Sequence, residues 1–238
     1  MSSHGSNGRD MNGHGSNDHG SNDHGSNDHG SNDHGGALVE RVIAAVAADP
    51  SRPVPAYHRF AGPWVEGEPQ PRAVGEFPGG HPLPPSLRAW LAYDGGMLER
   101  HGWFDADGRL APRTLGEIAA EEFGEPWDAC FAPFEERFGG CFLLPGGSDS
   151  RRVLSLGPNG ERDELGEYPV FALDVDDLPC AVLMYPGFDA YLADTAGILD
   201  PAGGEGYDAL KNDRRYAHRM RTHARDRFAG DYELLCLP

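Results

Sequence analysis

The chain has 238 residues, 33 of them glycine and 20 proline, and a formal net charge of -18, so it is rich in turns and strongly acidic. That charge argues against a nucleic-acid binder, because affinity for phosphate comes from lysine and arginine neutralising the backbone, and it suits a basic protein partner. No apolar run approaches the roughly 20 residues that span a bilayer, and the N-terminus lacks the charged and apolar regions of a signal peptide, so the expectation is a cytoplasmic protein with no membrane contact.

Residues 1 to 36 hold six of the eleven histidines and almost nothing apolar. From His14 to His34 the unit His-Gly-Ser-Asn-Asp repeats, with nothing to bury against the entropy of ordering its backbone. The sequence therefore predicts a disordered tail over 1 to 36, dispensable for folding, ahead of one domain over 37 to 238. His14, His19, His24, His29 and His34 invite a metal reading, since imidazole binds zinc, nickel and copper. A spacing of five is no closed-site pattern, so the tail is read as solvated, with any metal binding weak and incidental. No cofactor is assigned.

Ala37 to Ala48 carries Leu38, Val39, Val42, Ile43 and Val46 on one broad face and stops at Asp49-Pro50, which predicts the first helix. Ser51 to Pro82 reads as an irregular connection with short strands at most, anchored by Tyr57, Phe60, Trp64 and Phe77. From Leu83, two prolines pre-set a helix with Leu83, Leu87, Trp90 and Leu91 as its stripe and Gly95 as a left-handed stop. Trp103 to Leu110 is two extended pieces around Asp105-Ala106-Asp107-Gly108. An EF-hand counted from Asp105 needs glycine at position 6 and glutamate at position 12, where Leu110 and Gly116 stand instead, so this is a plain turn. Thr114 and Glu117 form a capping box for a helix ending at Gly124, with Leu115, Ile118, Ala119 and Phe123 inward and Glu121 and Glu122 toward water.

Four strands follow: Cys141 to Leu144, Arg152 to Leu156, Tyr168 to Val175, and Cys180 to Tyr185. Their short links favour an antiparallel meander. Tyr168 to Val175 is apolar on both faces and should be central. Asp174, Asp176 and Asp177 gather at the turn after it, and Pro179 sits where the next strand begins. After Pro186 and Gly187, the residues Phe188, Tyr191, Leu192 and Thr195 repeat along one helical face until Gly197. A final helix is predicted from about Tyr207 to Phe228. Its stretch Lys211 to Arg227 has seven basic residues against two acidic ones, and docking against the chain's own acidic body is favoured over a membrane or an acidic partner. The fold class is α+β: a single domain with a mainly antiparallel sheet of about four to six strands flanked by helices.

Cys130, Cys141, Cys180 and Cys236 form no C-x-x-C pair and read as reduced thiols. There is no G-x-S-x-G, phosphate loop, H-E-x-x-H or dinucleotide fingerprint. Gly146-Gly147-Ser148-Asp149-Ser150 lacks the lysine of a phosphate loop, and His58, His81, His101, His218 and His223 are scattered. The expectation is a protein that is not an enzyme, with no catalytic residue.

Leu83-Pro84-Pro85-Ser86-Leu87, then Trp90-Leu91 and Asp94-Gly95-Gly96, are followed much later by Glu167 to Asp174 (EYPVFALD) and Pro186 to Ala193 (PGFDAYLA). In this order and separation the segments resemble the SUKH superfamily, the Smi/Knr type of immunity and cell-wall-regulator proteins, most strongly over residues 83 to 197. The resemblance implies a single-domain α+β module without shared catalytic residues, many of whose members neutralise a toxin by binding it. An immunity protein meeting a basic toxin domain is the leading expectation, and a regulatory or scaffold protein with a weak metal or pH response of the histidine tail is the alternative. Asp174, Asp176 and Asp177, with Asp105 and Asp107 as a second edge, are the expected partner-binding residues, since three carboxylates so close repel unless a cation compensates.

Overall fold

The computed structural model describes residues 33–50, 52, 63–146, 150–176, 178–204 and 206–236. The repeats before Asp33, and also Tyr57, His58, Phe60, the glycine-serine loop at 147–149 and Asp177, lie outside the described residues. Helix α1 (Gly35–Ala48) buries Leu38, Val39, Val42 and Val46, the stripe its sequence predicts. It begins two residues early because Gly35 adopts a left-handed φ of 55° and donates its N–H to Asp189 at 2.8 Å. Asp33 pairs with Arg41 at 2.8 Å and Arg215 at 3.3 Å, and His34 stands edge-on to Tyr216 with ring centroids 5.2 Å apart. Residues 33–36, at the end of the expected tail, are docked on the body by ionic and hydrogen-bonding contacts that an apolar pattern does not reveal.

Strands β1 (Glu76–Phe77) and β2 (His81–Pro82) pair as a short antiparallel ribbon in the proline-rich connection, where Trp64 and Phe77 are buried. Helix α2 (Pro85–Tyr93) buries Leu87, Trp90 and Leu91. Gly95 is not its left-handed stop, having φ of -99°. Asp94 ends the helix instead, accepting the N–H of Gln70 at 3.0 Å and of Met97 at 3.2 Å and so launching α3 (Gly96–Glu99). The predicted capping box opens α4 (Leu115–Phe123), with Glu117 N–H on Thr114 Oγ1 at 3.2 Å and Thr114 N–H on Glu117 at 2.7 Å. Glu122 is turned from water toward Arg151, 2.5 Å away. Two helices too short to show a period follow, α5 (Trp127–Phe131) and α6 (Glu135–Phe138), each fixed by one fully buried ring, Phe131 and Phe138.

The main sheet is an antiparallel meander of β3 (Cys141–Leu144), β4 (Arg151–Ser155), β5 (Val170–Asp174), β6 (Cys180–Tyr185) and β7 (Glu233–Leu235), in that order. β5 is central and buried on both faces. Phe138 stacks on Phe171 with centroids 4.4 Å apart and Phe228 meets both, while Phe77 and Trp103 cover Phe142 on the opposite face. Helix α7 (Phe188–Thr195) follows β6 and packs on α1 and α2. Every one of its residues is buried, so it is a core helix and not the one-sided helix its stripe suggests. The expected single helix from Tyr207 to Phe228 is two: α8 (Tyr207–Leu210) and α9 (Ala217–Arg227). Asp213 breaks it, since its buried carboxylate accepts the N–H of Ala202 at 2.6 Å and of Arg215 at 2.9 Å. Both halves of the sequence resemblance lie in one core, with Trp90 and Phe188 fully buried.

Either Trp90→Ala or Phe188→Ala is expected to lower unfolding free energy by about 3–5 kcal/mol, measured by denaturant titration; unchanged stability would remove these rings from the core. A chain beginning at Asp33 should melt within about 2 °C of the full chain, whereas one beginning at Ala37 should melt about 5–10 °C lower, having lost the contacts of Asp33 and Gly35. Equal melting of the two truncations would show that residues 33–36 contribute nothing.

Candidate functional site

Three places in the molecule gather polar chemistry: a buried ionic junction, an open cleft and the acidic end of the sheet. The junction lies where β6 passes into α7. Gly187 there has no room for a side chain, since a Cβ would come 2.5 Å from Asp189 Oδ1 and 2.6 Å from Arg219 Nη2. Arg219 of α9 donates two bonds of 2.9 Å to the Asp189 carboxylate and its Nε–H to Asp163, a fork geometry suited to carboxylates. Asp163 also accepts the N–H of Leu165 and of Glu167, each at 2.9 Å. Glu167 accepts the N–H of Ser86 at 3.0 Å and the Ser86 hydroxyl. His223 Nε2 lies 3.0 Å from the Pro186 carbonyl and 3.8 Å from Asp163.

Burial disfavours the Asp163 carboxylate, yet the hydrogen bond from His223 and the charge of Arg219 outweigh it and hold its pKa down to about 2. Asp189 is likewise held low against burial, by Arg219 and by backbone N–H groups that include Gly35. Glu167 goes the other way: burial, reinforced by the negative charge of Asp189, raises its pKa to about 8, so it is neutral at pH 7. Ser86, His223 and Asp163 do not form a nucleophilic relay, because the serine hydroxyl is given to Glu167 and the imidazole Nε2 faces a carbonyl. With Arg219, Asp189, Glu167 and His223 all at most 1% exposed, no substrate reaches this junction. Its role is architectural. Sequence reasoning passed over it because its members are scattered from residue 86 to residue 223; the one local sign was an arginine-rich helix in an acidic chain.

The open cleft, about 590 Å³, lies between Glu99–Gly102, the end of α4 and the mouth of the β3–β4 hairpin. Its charges are already matched: Arg151 with Glu122, Arg113 with Glu121, and Arg72 with Glu99. Burial lowers the pKa of His101, whose Nδ1 is 2.8 Å from the Met97 carbonyl. A self-neutralised wall exerts little net field on a charged substrate. The four thiols are free, and burial pushes Cys180 up to about 11 and Cys236 to about 12, far from the thiolate a nucleophile needs. Among the described residues no group of three or more His, Cys, Asp or Glu side chains is placed to hold a metal ion, and no helix of the described residues is long and apolar enough to cross a membrane.

The expected partner-binding residues fall in two separate places. Asp174 ends β5 and accepts the N–H of Asp176 at 3.0 Å, an aspartate-organised turn. Asp105 organises the other turn, accepting the N–H of Asp107 and of Arg109, each at 2.9 Å, between the bridged residues Phe104 and Leu110. This second turn covers the β3 side of the sheet, where Trp103 donates to Leu143, and Asp107 has Arg109 3.7 Å away. The sheet order puts β4 and β3 between Asp174 and that edge, so the two turns are not brought together. What does adjoin the Asp174 turn was missed: the register aligns Asp174 with Cys180 and Cys180 with Leu235, and Leu178 and Leu235 are 59% and 43% exposed. No protein-family model matches this chain, and neither a curated protein nor a solved structure matches it.

Because the folded-state pKa of Glu167 lies above its ordinary 4.5, its contribution to stability is complete below pH 4.5 and is lost as pH rises through about 8. Glu167→Gln keeps the hydrogen-bond shape without the proton. Its melting temperature should fall less between pH 6 and about pH 9 than that of the unaltered protein; parallel pH profiles would show that Glu167 does not titrate with folding.

Proposed function

We propose that this protein is a non-enzymatic binding module that neutralises a basic toxin domain by docking it on the acidic end of the sheet, the role common among the SUKH proteins its sequence resembles. The observation that carries the reading is the Asp174–Asp176 turn beside two exposed leucines. An interface needs an apolar centre that excludes water and a charged rim that steers and orients the partner, and Leu178, Leu235 and these carboxylates have that arrangement. The turn closes the pairing of two strands whose apolar residues are almost all buried, so it is held ready and little ordering entropy is lost on docking. The net charge of -18 adds long-range attraction for a cationic partner. Asp105 and Asp107 are left out of this surface by the sheet order.

A regulatory or scaffold role is the second reading, and His34 favours it. Burial first, and then the Arg219 charge, lower its pKa, so acidification works against the docked state of residues 33–36. A toxin-like reading frame beside the gene separates the two readings.

The test uses the purified full chain and the product of that adjoining reading frame. Asp174→Asn combined with Asp176→Asn should leave the melting temperature within about 3 °C, slow association about threefold to tenfold at low salt, and flatten the salt dependence of the on-rate. Unchanged association and salt slope would remove the turn from the interface.

A further inference from the structure

Strand β7 is last in the sheet order, and among the described residues its outer side carries no paired strand. Its pairing with β6 fixes which backbone groups are committed. Tyr232 accepts the Leu183 N–H at 2.7 Å and Cys236 donates to Pro179 at 2.7 Å, so by the two-residue period Tyr232, Leu234 and Cys236 aim their N–H and C=O groups at β6. Glu233 and Leu235 aim theirs outward. Their side chains share one face, the face of Val182, Cys180 and Asp174 by register, and both are exposed.

Sheet edges are ordinarily blunted by charge, proline, bulges or a covering element. Here Glu233 supplies a charge, but of the large apolar side chains exposed among the described residues, Leu165, Leu178 and Leu235, two adjoin this edge. An edge of outward amides with an apolar patch and acidic residues on one face is what an added strand requires. We propose that β7 accepts an extended, basic segment of a protein partner as a sixth strand. The alternation of side chains specifies that segment: an apolar residue against Leu235 and a lysine or arginine two positions away against Glu233, with further basic residues reaching Asp174 and Asp176. A second copy of this chain is a poor occupant, because two bodies of charge -18 repel. This inference rests on the acidic end of the sheet being the partner surface and adds how the partner is held.

The probe is a synthetic peptide of about eight residues, Val-Thr-Lys-Thr repeated so that valine and lysine alternate along one face, long enough for one strand, added to the full chain while amide hydrogen exchange is followed. Exchange at Glu233 and Leu235 should slow about tenfold or more at saturation, with Leu234 unchanged, and the same peptide with glutamate in place of each lysine should do nothing. Leu235→Pro removes one outward N–H and no bond to β6, so it should stay folded, with melting within about 3 °C, and lose the response. Three results would overturn the proposal: no binding up to about 1 mM peptide, binding that leaves those two amides unchanged or survives Leu235→Pro, or their protection by self-association without peptide. The cognate-partner kinetics of the Asp174→Asn, Asp176→Asn protein report on the turn alone, so the strand can fail while the turn stands, and the reverse.

Discussion

Arg219 is the charge on which the architecture turns. A guanidinium taken out of water is tolerated only with its hydrogen-bonding capacity met by opposite charge, and here that demand is answered by Asp189 and Asp163 from two different segments. The same carboxylates also serve backbone: Asp189 receives Gly35 at the start of α1, and Asp163 closes the loop that delivers Glu167. Glu167 in turn receives Ser86 in the first turn of α2. The Asp189 charge at the start of α1 is further favoured by the aligned peptide dipoles and by otherwise unpaired N–H groups there. One arginine thus fixes α1, α2, α7 and α9 relative to the end of the sheet.

This interior use of arginine shapes the exterior. Of the basic residues in the C-terminal segment, Arg219 and Arg227 are 1% exposed; Arg227 is held by Glu161 at 2.7 Å and by the carbonyls of Leu156 and Glu161. Arg215 is tied to Asp213 and Asp33. Gly157 makes the approach of Arg227 possible, since a side chain there would occupy the space of the guanidinium. Part of the cationic segment is thus spent inside the molecule or on neighbouring carboxylates rather than offered to solvent.

Rigidity and exposure meet at that end of the sheet. β5 is buried on both faces, and the aspartate-organised turn after it leaves Leu178 in solvent. β7 adds the only backbone on this side, among the described residues, that ends the sheet.

The sequence by itself determined the elements whose information is local: the apolar stripe of α1, the proline start of α2, the Thr114–Glu117 capping box, the central position of β5, the strand at Cys180–Tyr185, and hence the α+β class. It also located the acidic turn, because Asp174, Asp176 and Asp177 are neighbours in the chain. Tertiary structure decided the rest. The last helix breaks at Asp213 because that carboxylate is claimed by Ala202 and Arg215, and residues 33–36 dock on the body through Asp189 and Arg215, more than 150 positions away. Whether Asp105 and Asp174 share a surface depends on strand order, and whether β7 is an edge depends on which strand it pairs with. Periodicity reports what one segment needs to bury; it carries no information about which distant charge or strand will meet that need.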